Sequence, residues 1–265
     1  MPRFKLTVEY AGTRYSGWQI QKNARTVQGE IDRAVRTVTS RKDFELYGAG
    51  RTDAGVHALA QIAHLDVATS LPPQALVERL NTELPADINI LSASVVPHRF
   101  HARHDAVARR YLYQIATRRT AFAKAYVWWV REALALDRMQ SAAASFVGFK
   151  DFEAFAESEA HGEVERSTDV RVDRVEVAEA GGLVLVGVEG SHFLWKMVRR
   201  MVGVLVEIGR GRLAPDAIAS LVAGSSSETP ARLTAPASGL FLERVYYKND
   251  ARDASLVPAT PFLKP

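Results

Sequence analysis

The chain opens with the stretch Phe4-Lys5-Leu6-Thr7-Val8-Glu9-Tyr10, in which apolar and polar residues alternate. This period of two is typical of a β-strand with one buried face. A helix is expected next, at about 26–38, because apolar residues recur there at helical spacing behind Thr26, a suitable N-cap. The same reasoning predicts strands at about 44–48, 58–66 and 88–96 and a helix at about 73–83. The order of these elements is βαββαβ.

The second half of the chain repeats this order. We expect strands at about 107–116, 169–178, 183–189 and 240–247, helices at about 137–147 and 192–208, and an extra short helix near 215–223. Two such units predict an α/β (α+β) fold with two ferredoxin-like halves, residues 1–105 and 106–248, whose antiparallel sheets join around a basic central cleft. A proline-containing tail, residues 249–265, has little to bury and is expected to be extended.

Composition limits the classes of protein that this chain can belong to. Its 265 residues are 47% hydrophobic and 24% charged, which is enough to bury a sizeable core. Cysteine is absent, which excludes disulfides and thiolate metal sites and favours a reducing compartment. No apolar run approaches the roughly 18 residues of a membrane-spanning helix, and the N-terminus does not resemble a secretory signal. We therefore predict a cytoplasmic protein without membrane attachment.

The formal net charge of +4 is distributed unevenly. The stretch from His98 to Lys124 contains seven Lys or Arg residues and one acidic residue. The stretch from Lys196 to Arg212 contains five Lys or Arg residues and one acidic residue. A basic stripe on an otherwise acidic chain predicts a polyanion partner such as RNA. The alternative is that these arginines belong to ordinary solvated faces of helices and strands.

The loop between the second and third strands contains the most informative residues, Gly48-Ala49-Gly50-Arg51-Thr52-Asp53-Ala54-Gly55-Val56-His57-Ala58. Its glycines permit a tight backbone path and close approach of a ligand. A guanidinium beside Asp53 would keep the carboxylate ionised, as a nucleophile or a base requires. The structural alternative is an Asx-turn. A dinucleotide-binding loop fits poorly, because the third glycine lies five residues after the second and a strand follows.

Residues 50–58, Gly-Arg-Thr-Asp-Ala-Gly-Val-His-Ala, resemble the catalytic motif of the tRNA pseudouridine synthase A (TruA) family. Other blocks similar to that family follow in order from about residue 3 to about 248. These blocks are Glu9–Thr13, Tyr15–Gln19, Thr26–Glu30, Phe100–Arg103, Ala108–Tyr113, Met197–Gly203 and Gly239–Leu242.

The resemblance implies roles for particular residues. Asp53 would be the essential carboxylate, Arg51 its partner in the loop and Arg199 the arginine that pairs with it. Tyr111 would contact the target base, and Leu240 would form an apolar wall of a pocket that receives a flipped-out uridine. The family acts on tRNA at positions 38, 39 and 40 of the anticodon arm, moves the ribosyl bond from N1 to C5, and works as a homodimer without metal or cofactor. From spacing alone, Tyr111 would be an ordinary cross-strand aromatic.

Further RNA contacts are expected from basic and imidazole side chains, namely Arg103, Arg109, Arg110 and His57. The spacing of His98, His101 and His104 invites a metal site, but without matching carboxylates we favour contact with phosphate. Two other hypotheses remain open at this point. One is a catalytically silent RNA-binding protein, and the other is the same enzyme acting on another RNA.

Overall fold

The computed structural model describes residues 1–157, 167–226 and 228–260. The chain divides into two compact units. Unit 1 comprises Met1–Val107 and Phe241–Arg252, and unit 2 comprises Ala108–Leu240 and Asp253–Pro265. Within the described ranges, no helix is both long enough and apolar enough to cross a bilayer.

The observed elements confirm the predicted α/β class and the repeated order of strands and helices. The first six elements are β1 (Arg3–Tyr10), α1 (Val27–Thr39), β2 (Glu45–Gly48), β3 (His57–Asp66), α2 (Pro73–Glu83) and β4 (Ile88–Val96). They are followed by β5 (Ala106–Ala116), β6 (Trp128–Trp129), α3 (Leu136–Ala143), β7 (Gly148–Asp151), β8 (Asp169–Ala180), β9 (Leu183–Gly190), α4 (Met197–Gly209), α5 (Ala217–Val222) and β10 (Leu240–Tyr247).

The strands of unit 1 pair in the order β2-β3-β1-β4, and all three pairs are antiparallel. This is the arrangement of a ferredoxin-like unit with the sequence βαββαβ. Every second residue of β1, from Phe4 to Tyr10, is buried, as the alternation predicts. Helix α1 begins behind Thr26, whose side chain accepts a hydrogen bond from the Gly29 amide at 3.2 Å.

Strand β10 returns to unit 1 from the far end of the chain. It pairs in parallel with β3, so that Phe241 lies opposite His57 and Leu242 opposite Ala58. The predicted halves assigned this strand to residues 106–248, whereas most of it packs with the N-terminal residues. The difference arises because element order along the chain carries no information about which neighbour a strand selects.

In unit 2, strands β5, β9, β8 and β7 pair in that order and are antiparallel. The short strand β6 adds in parallel to β5. Neither the two-residue β6 nor the four-residue β7 was predicted. Aromatic rings of Phe146, Phe152 and Phe155 pack against one another in the core of this unit.

Helix α4 departs from its prediction in two ways. It begins at Met197 rather than near residue 192, because Lys196 has a left-handed backbone with φ of 62°. Its basic residues do not all lie on a solvated face, the alternative considered for them, since Arg200 is buried and donates to the Ala156 carbonyl and the Glu157 carboxylate. Lys196 also pairs with Glu157, at 3.1 Å.

The described part of the C-terminal tail, up to Thr260, is irregular but packs on unit 2. The Ala259 amide donates to Oε1 of Gln114 at 2.7 Å, and Pro258 lies where a side chain on Gly181 would otherwise extend. The tail therefore buries more than its composition indicates.

Candidate active site

Asp53 lies in unit 1, in the turn that leads into β3. The Val56 amide donates to the Asp53 carbonyl oxygen at 3.1 Å and closes the turn. Gly55 has φ of 79°, a conformation that other residues rarely adopt, and its amide donates to the Tyr15 carbonyl at 3.3 Å. Gly55, the third glycine of the loop 48–58, is therefore required by the backbone itself.

Thr52, the residue before Asp53, is hydrogen-bonded to the end of β1 and to the segment that follows it. Thr52 is buried, and its hydroxyl shares a hydrogen bond of 2.8 Å with the Tyr10 hydroxyl. Its carbonyl accepts a hydrogen bond from the Trp18 amide at 3.1 Å. A buried, doubly held threonine leaves the neighbouring Asp53 backbone little freedom to move.

Two glycines allow the segment 10–18 to approach the Asp53 loop closely. A β-carbon on Gly12 would lie 1.9 Å from the Val56 carbonyl oxygen, and one on Gly17 would lie 2.4 Å from the Thr52 carbonyl oxygen. Both distances are far below van der Waals contact. The segment 9–19 and the Asp53 loop thus form a single structural unit, a dependence that spacing along the sequence does not reveal.

Asp53 itself is half-buried, while the neighbouring Arg51 is exposed. The space next to the preceding residue, Gly50, is open, because a β-carbon on Gly50 would meet no atom within 4 Å. The Gly50 carbonyl is nonetheless fixed by Nε2 of Gln61, which donates to it at 2.9 Å. The loop therefore presents a carboxylate and a guanidinium to solvent from a fixed backbone.

His57 has a different place from the one predicted. It is only 1% exposed, its Nδ1 accepts a hydrogen bond from the Gly12 amide at 3.0 Å, and its ring stacks on Phe241 at 4.7 Å. A ring enclosed in this way is not available to RNA phosphate. We correct its role to that of a residue that positions the Asp53 loop.

Tyr111 and Arg109 lie on β5 in unit 2. The half-buried Tyr111 ring meets Phe193 edge to face, with ring centroids 5.3 Å apart, and a guanidinium nitrogen of Arg109 donates to the Ser191 carbonyl at 2.8 Å. Tyr113, two residues on, is fully buried, and its hydroxyl donates to the Pro236 carbonyl at 2.7 Å. Burial raises the pKa of Tyr113 well above its usual value, so Tyr113 stays a neutral structural donor.

Arg199 projects from α4 and is held by the segment that crosses this helix. Its Nε donates to the Ala235 carbonyl at 2.7 Å, and the Ala235 amide donates back to the Arg199 carbonyl at 3.1 Å. Close approach depends on Gly203, where a β-carbon would lie 1.6 Å from the Leu233 carbonyl oxygen. Leu240, also in unit 2, is buried.

Arg110 does not have the surroundings of an RNA contact. Its side chain is 0% exposed, 3.0 Å from the Glu176 carboxylate and 3.7 Å from that of Glu189. A buried guanidinium with two carboxylate neighbours is a structural group. Arg103, in unit 1, is exposed and is the better candidate for contact with phosphate.

The histidines predicted as a metal site or a phosphate edge lie in the loop after β4. His101 and His104 have ring centroids 4.2 Å apart. Among the residues that the structure describes, no group of three or more His, Cys, Asp or Glu side chains could hold a metal ion.

Comparison with known proteins relates most of the chain to one family. The sequence matches the family described as tRNA pseudouridine synthase over residues 6–105 and 142–248. Curated proteins named tRNA pseudouridine synthase A are similar over nearly all of the chain. The protein of Rhodopseudomonas palustris strain BisB18 is 42% identical and that of strain BisA53 is 40% identical, covering 93% and 94% of this chain and all of each relative. The protein of Geotalea uraniireducens is 41% identical over 93% of this chain and all of the relative.

Among solved structures, a chain of a Cbf5-Nop10-Gar1 complex covers 76% of this chain and 54% of its own length, with a TM-score of 0.30 and 12% identity. That likeness is too low to support an argument. The stretches matched to the family include Asp53, Arg51, Arg199 and Leu240, while Arg109, Arg110 and Tyr111 fall between them.

Proposed function

Since this chain belongs to the tRNA pseudouridine synthase family, we propose that it isomerises uridine to pseudouridine in tRNA with Asp53 as the catalytic carboxylate. In this reaction the bond from the ribose C1′ to N1 of the base is broken and a bond from C1′ to C5 is made; the proton on C5 is lost to solvent, and N1 gains a proton in its place. The supporting observation is the Asp53 loop, which presents a half-exposed carboxylate from a backbone held by Tyr15 and Trp18.

A carboxylate suits each route that this rearrangement can follow. It can attack C6 of the base, attack C1′ of the ribose, or remove a proton at C2′. The base must leave its stack to rotate, and we propose that Tyr111 and Leu240 receive it. Arg51 and Arg199 would keep the carboxylate ionised at neutral pH.

The finer parts of the proposal rest on the resemblance of the sequence motifs. They are modification at positions 38, 39 and 40 of the anticodon arm, a homodimer, a cytoplasmic location and a reaction without metal or cofactor. We also propose that Arg103 and Arg109 contact phosphates of the RNA.

Replacing one carboxylate tests the proposal. Asp53→Asn keeps the shape of the side chain but removes its charge, so we expect no release of tritium from tRNA labelled at uridine C5. Binding of tRNA should remain within about tenfold of the unchanged protein, because counterion release at phosphates dominates RNA affinity. The matched control is Asp43→Asn, at an exposed site before β2, which should release tritium at the normal rate.

The outcomes separate the three hypotheses. Tritium release at the normal rate by Asp53→Asn would refute the assignment of the carboxylate. If the protein without any substitution binds tRNA but releases no tritium, it is an RNA-binding protein without catalytic activity. Mapping of pseudouridine in tRNA from a strain lacking the gene tests the positions, since modification at 38–40 that persists there would point to another RNA substrate.

A further inference from the structure

Four aromatic side chains of unit 1, from β2, β3 and the loop after β4, form a continuous group, called here the His–Tyr cluster. Its members are Tyr47, His64, His101 and His104. Tyr47 stacks on His64 with ring centroids 5.4 Å apart and an interplanar angle of 23°. The His101 ring meets His64 edge-on at 4.7 Å and lies 4.2 Å from His104.

Backbone hydrogen bonds fix the orientation of the inner rings. Nδ1 of His64 accepts from the Ala102 amide at 3.1 Å. Nδ1 of His101 accepts from the amides of Arg103 at 3.1 Å and His104 at 3.3 Å. Because each Nδ1 is an acceptor, both rings are held in one tautomer. The cluster is therefore a rigid support for Tyr47.

The outer end of the cluster is open to solvent. Tyr47 is 50% exposed, and among the residues that the structure describes its hydroxyl has no hydrogen-bond partner. Burial and the positive charge of Arg3 lower the pKa of His64 to about 4, and burial also lowers the pKa of His101. The rings of His64 and His101 are consequently neutral at physiological pH and offer flat faces rather than positive charge.

The position of Tyr47 relates this surface to the reaction. Tyr47 is the last residue but one of strand β2, and five residues of chain separate it from Asp53, a reach of at most about 20 Å. Exposed guanidinium groups occur in both flanking segments, at Arg51 and Arg103. An RNA strand whose phosphates meet these arginines would bring its bases close to an exposed aromatic ring.

We propose that Tyr47, supported by the His–Tyr cluster, stacks on an unpaired nucleobase of the tRNA that flanks the target uridine. The proposal rests on the proposed function and adds a recognition contact that is separate from the chemical step. A supported and exposed aromatic ring fits a base, because every nucleobase has a π-face that stacks on an aromatic side chain. A phosphate would instead require a charged group.

Tyr47→Ala should raise the KM for tRNA about tenfold and leave kcat within about twofold, as expected for loss of one stacked base. Tyr47→Phe should behave like the unchanged enzyme, since it keeps the ring and removes only the hydroxyl. The matched control is Phe149→Ala, which removes an exposed ring on β7 of unit 2 and should change neither constant. The slope of log affinity against log salt should be the same in all three variants, because no phosphate contact is lost.

A second measurement identifies the base and does not depend on the variant folding. Transfer RNAs with a single abasic site at each unpaired nucleotide near the target are assayed with the unchanged enzyme. One abasic site should raise KM about tenfold, and the same site should have no further effect in Tyr47→Ala, because the two changes remove the same contact.

Two results overturn the proposal: a Tyr47→Ala enzyme with unchanged KM, or abasic sites that affect both enzymes equally. Failure of the proposed function is distinguishable from either, since the unchanged enzyme would then release no tritium from any tRNA.

Discussion

Gly12→Ala tests whether catalysis depends on the close contact beneath the Asp53 loop. The added β-carbon would lie 1.9 Å from the Val56 carbonyl oxygen, whereas carbon–oxygen contacts seldom fall below about 3.3 Å. The two segments must therefore separate by roughly 1.4 Å, which moves the turn that carries Asp53. A misplacement of about 1 Å at a reacting group can cost about a hundredfold in rate, so we expect kcat to fall about a hundredfold.

The assay is single-turnover release of tritium from tRNA labelled at uridine C5, with tRNA affinity and the melting temperature measured in parallel. Affinity should remain within a few fold, because the substitution removes no basic residue. Overpacking should also cost about 1–3 kcal/mol of unfolding free energy. As a control, Gly50→Ala in the same loop has open space for the β-carbon and should keep the normal melting temperature. A normal rate for Gly12→Ala would refute the view that this contact positions Asp53.

Two further predictions concern charge. The pKa of His64, near 4, lies below the ordinary value of about 6.5, so on acidification the unfolded chain takes up the proton first. The contribution of neutral His64 to the free energy of unfolding should therefore be fully present above about pH 6.5. It should fall by about 3 kcal/mol on acidification towards pH 4. Denaturation across this range should show a smaller fall for His64→Asn, whose amide oxygen can still accept from the Ala102 amide, and an equal fall would contradict the assignment. Arg110→Ala should lose about 1–3 kcal/mol of stability, because it removes a fully buried guanidinium from beside Glu189, which keeps its contact with Arg174 at 3.5 Å, with an unchanged salt dependence of tRNA binding. Arg103→Ala should reduce that salt slope by about one unit with little loss of stability, and the reverse pattern would reinstate Arg110 as an RNA contact.

The sequence predicted the elements of the fold well, because the strands and helices that form the cores show clear periodicity. Alternation in β1 and helical spacing in α1 correspond to the faces that are buried. The start of α4 was misplaced because apolar residues continue the helical pattern before Lys196, whose left-handed backbone is not visible in a hydrophobic pattern. The pairing of β10 with β3 is likewise a long-range choice that local sequence does not encode.

The candidate site was predictable only where sequence and resemblance agreed on type and position. The Asp53 loop is such a case, because its glycines and charges are adjacent in sequence. Arg110 could not be assigned from the sequence, because a run of arginines has the same pattern whether its side chains contact RNA or lie in the protein interior. The positions of Glu176 and Glu189 in the structure distinguish the two cases. Tyr47 escaped notice because its supporting histidines come from β3 and from the loop after β4, far from it in sequence.

The parallel addition of β10 to unit 1 has a consequence for how the protein is made. The chain leaves this unit at Val107 and returns only at Phe241, which then stacks on His57 beneath the Asp53 loop. A ribosome must therefore synthesise nearly the whole polypeptide before the N-terminal unit is complete, and a long loop must close first, which slows folding. Nascent chains released before residue 241 would lack the ring that supports His57, so active protein should emerge only at the end of translation.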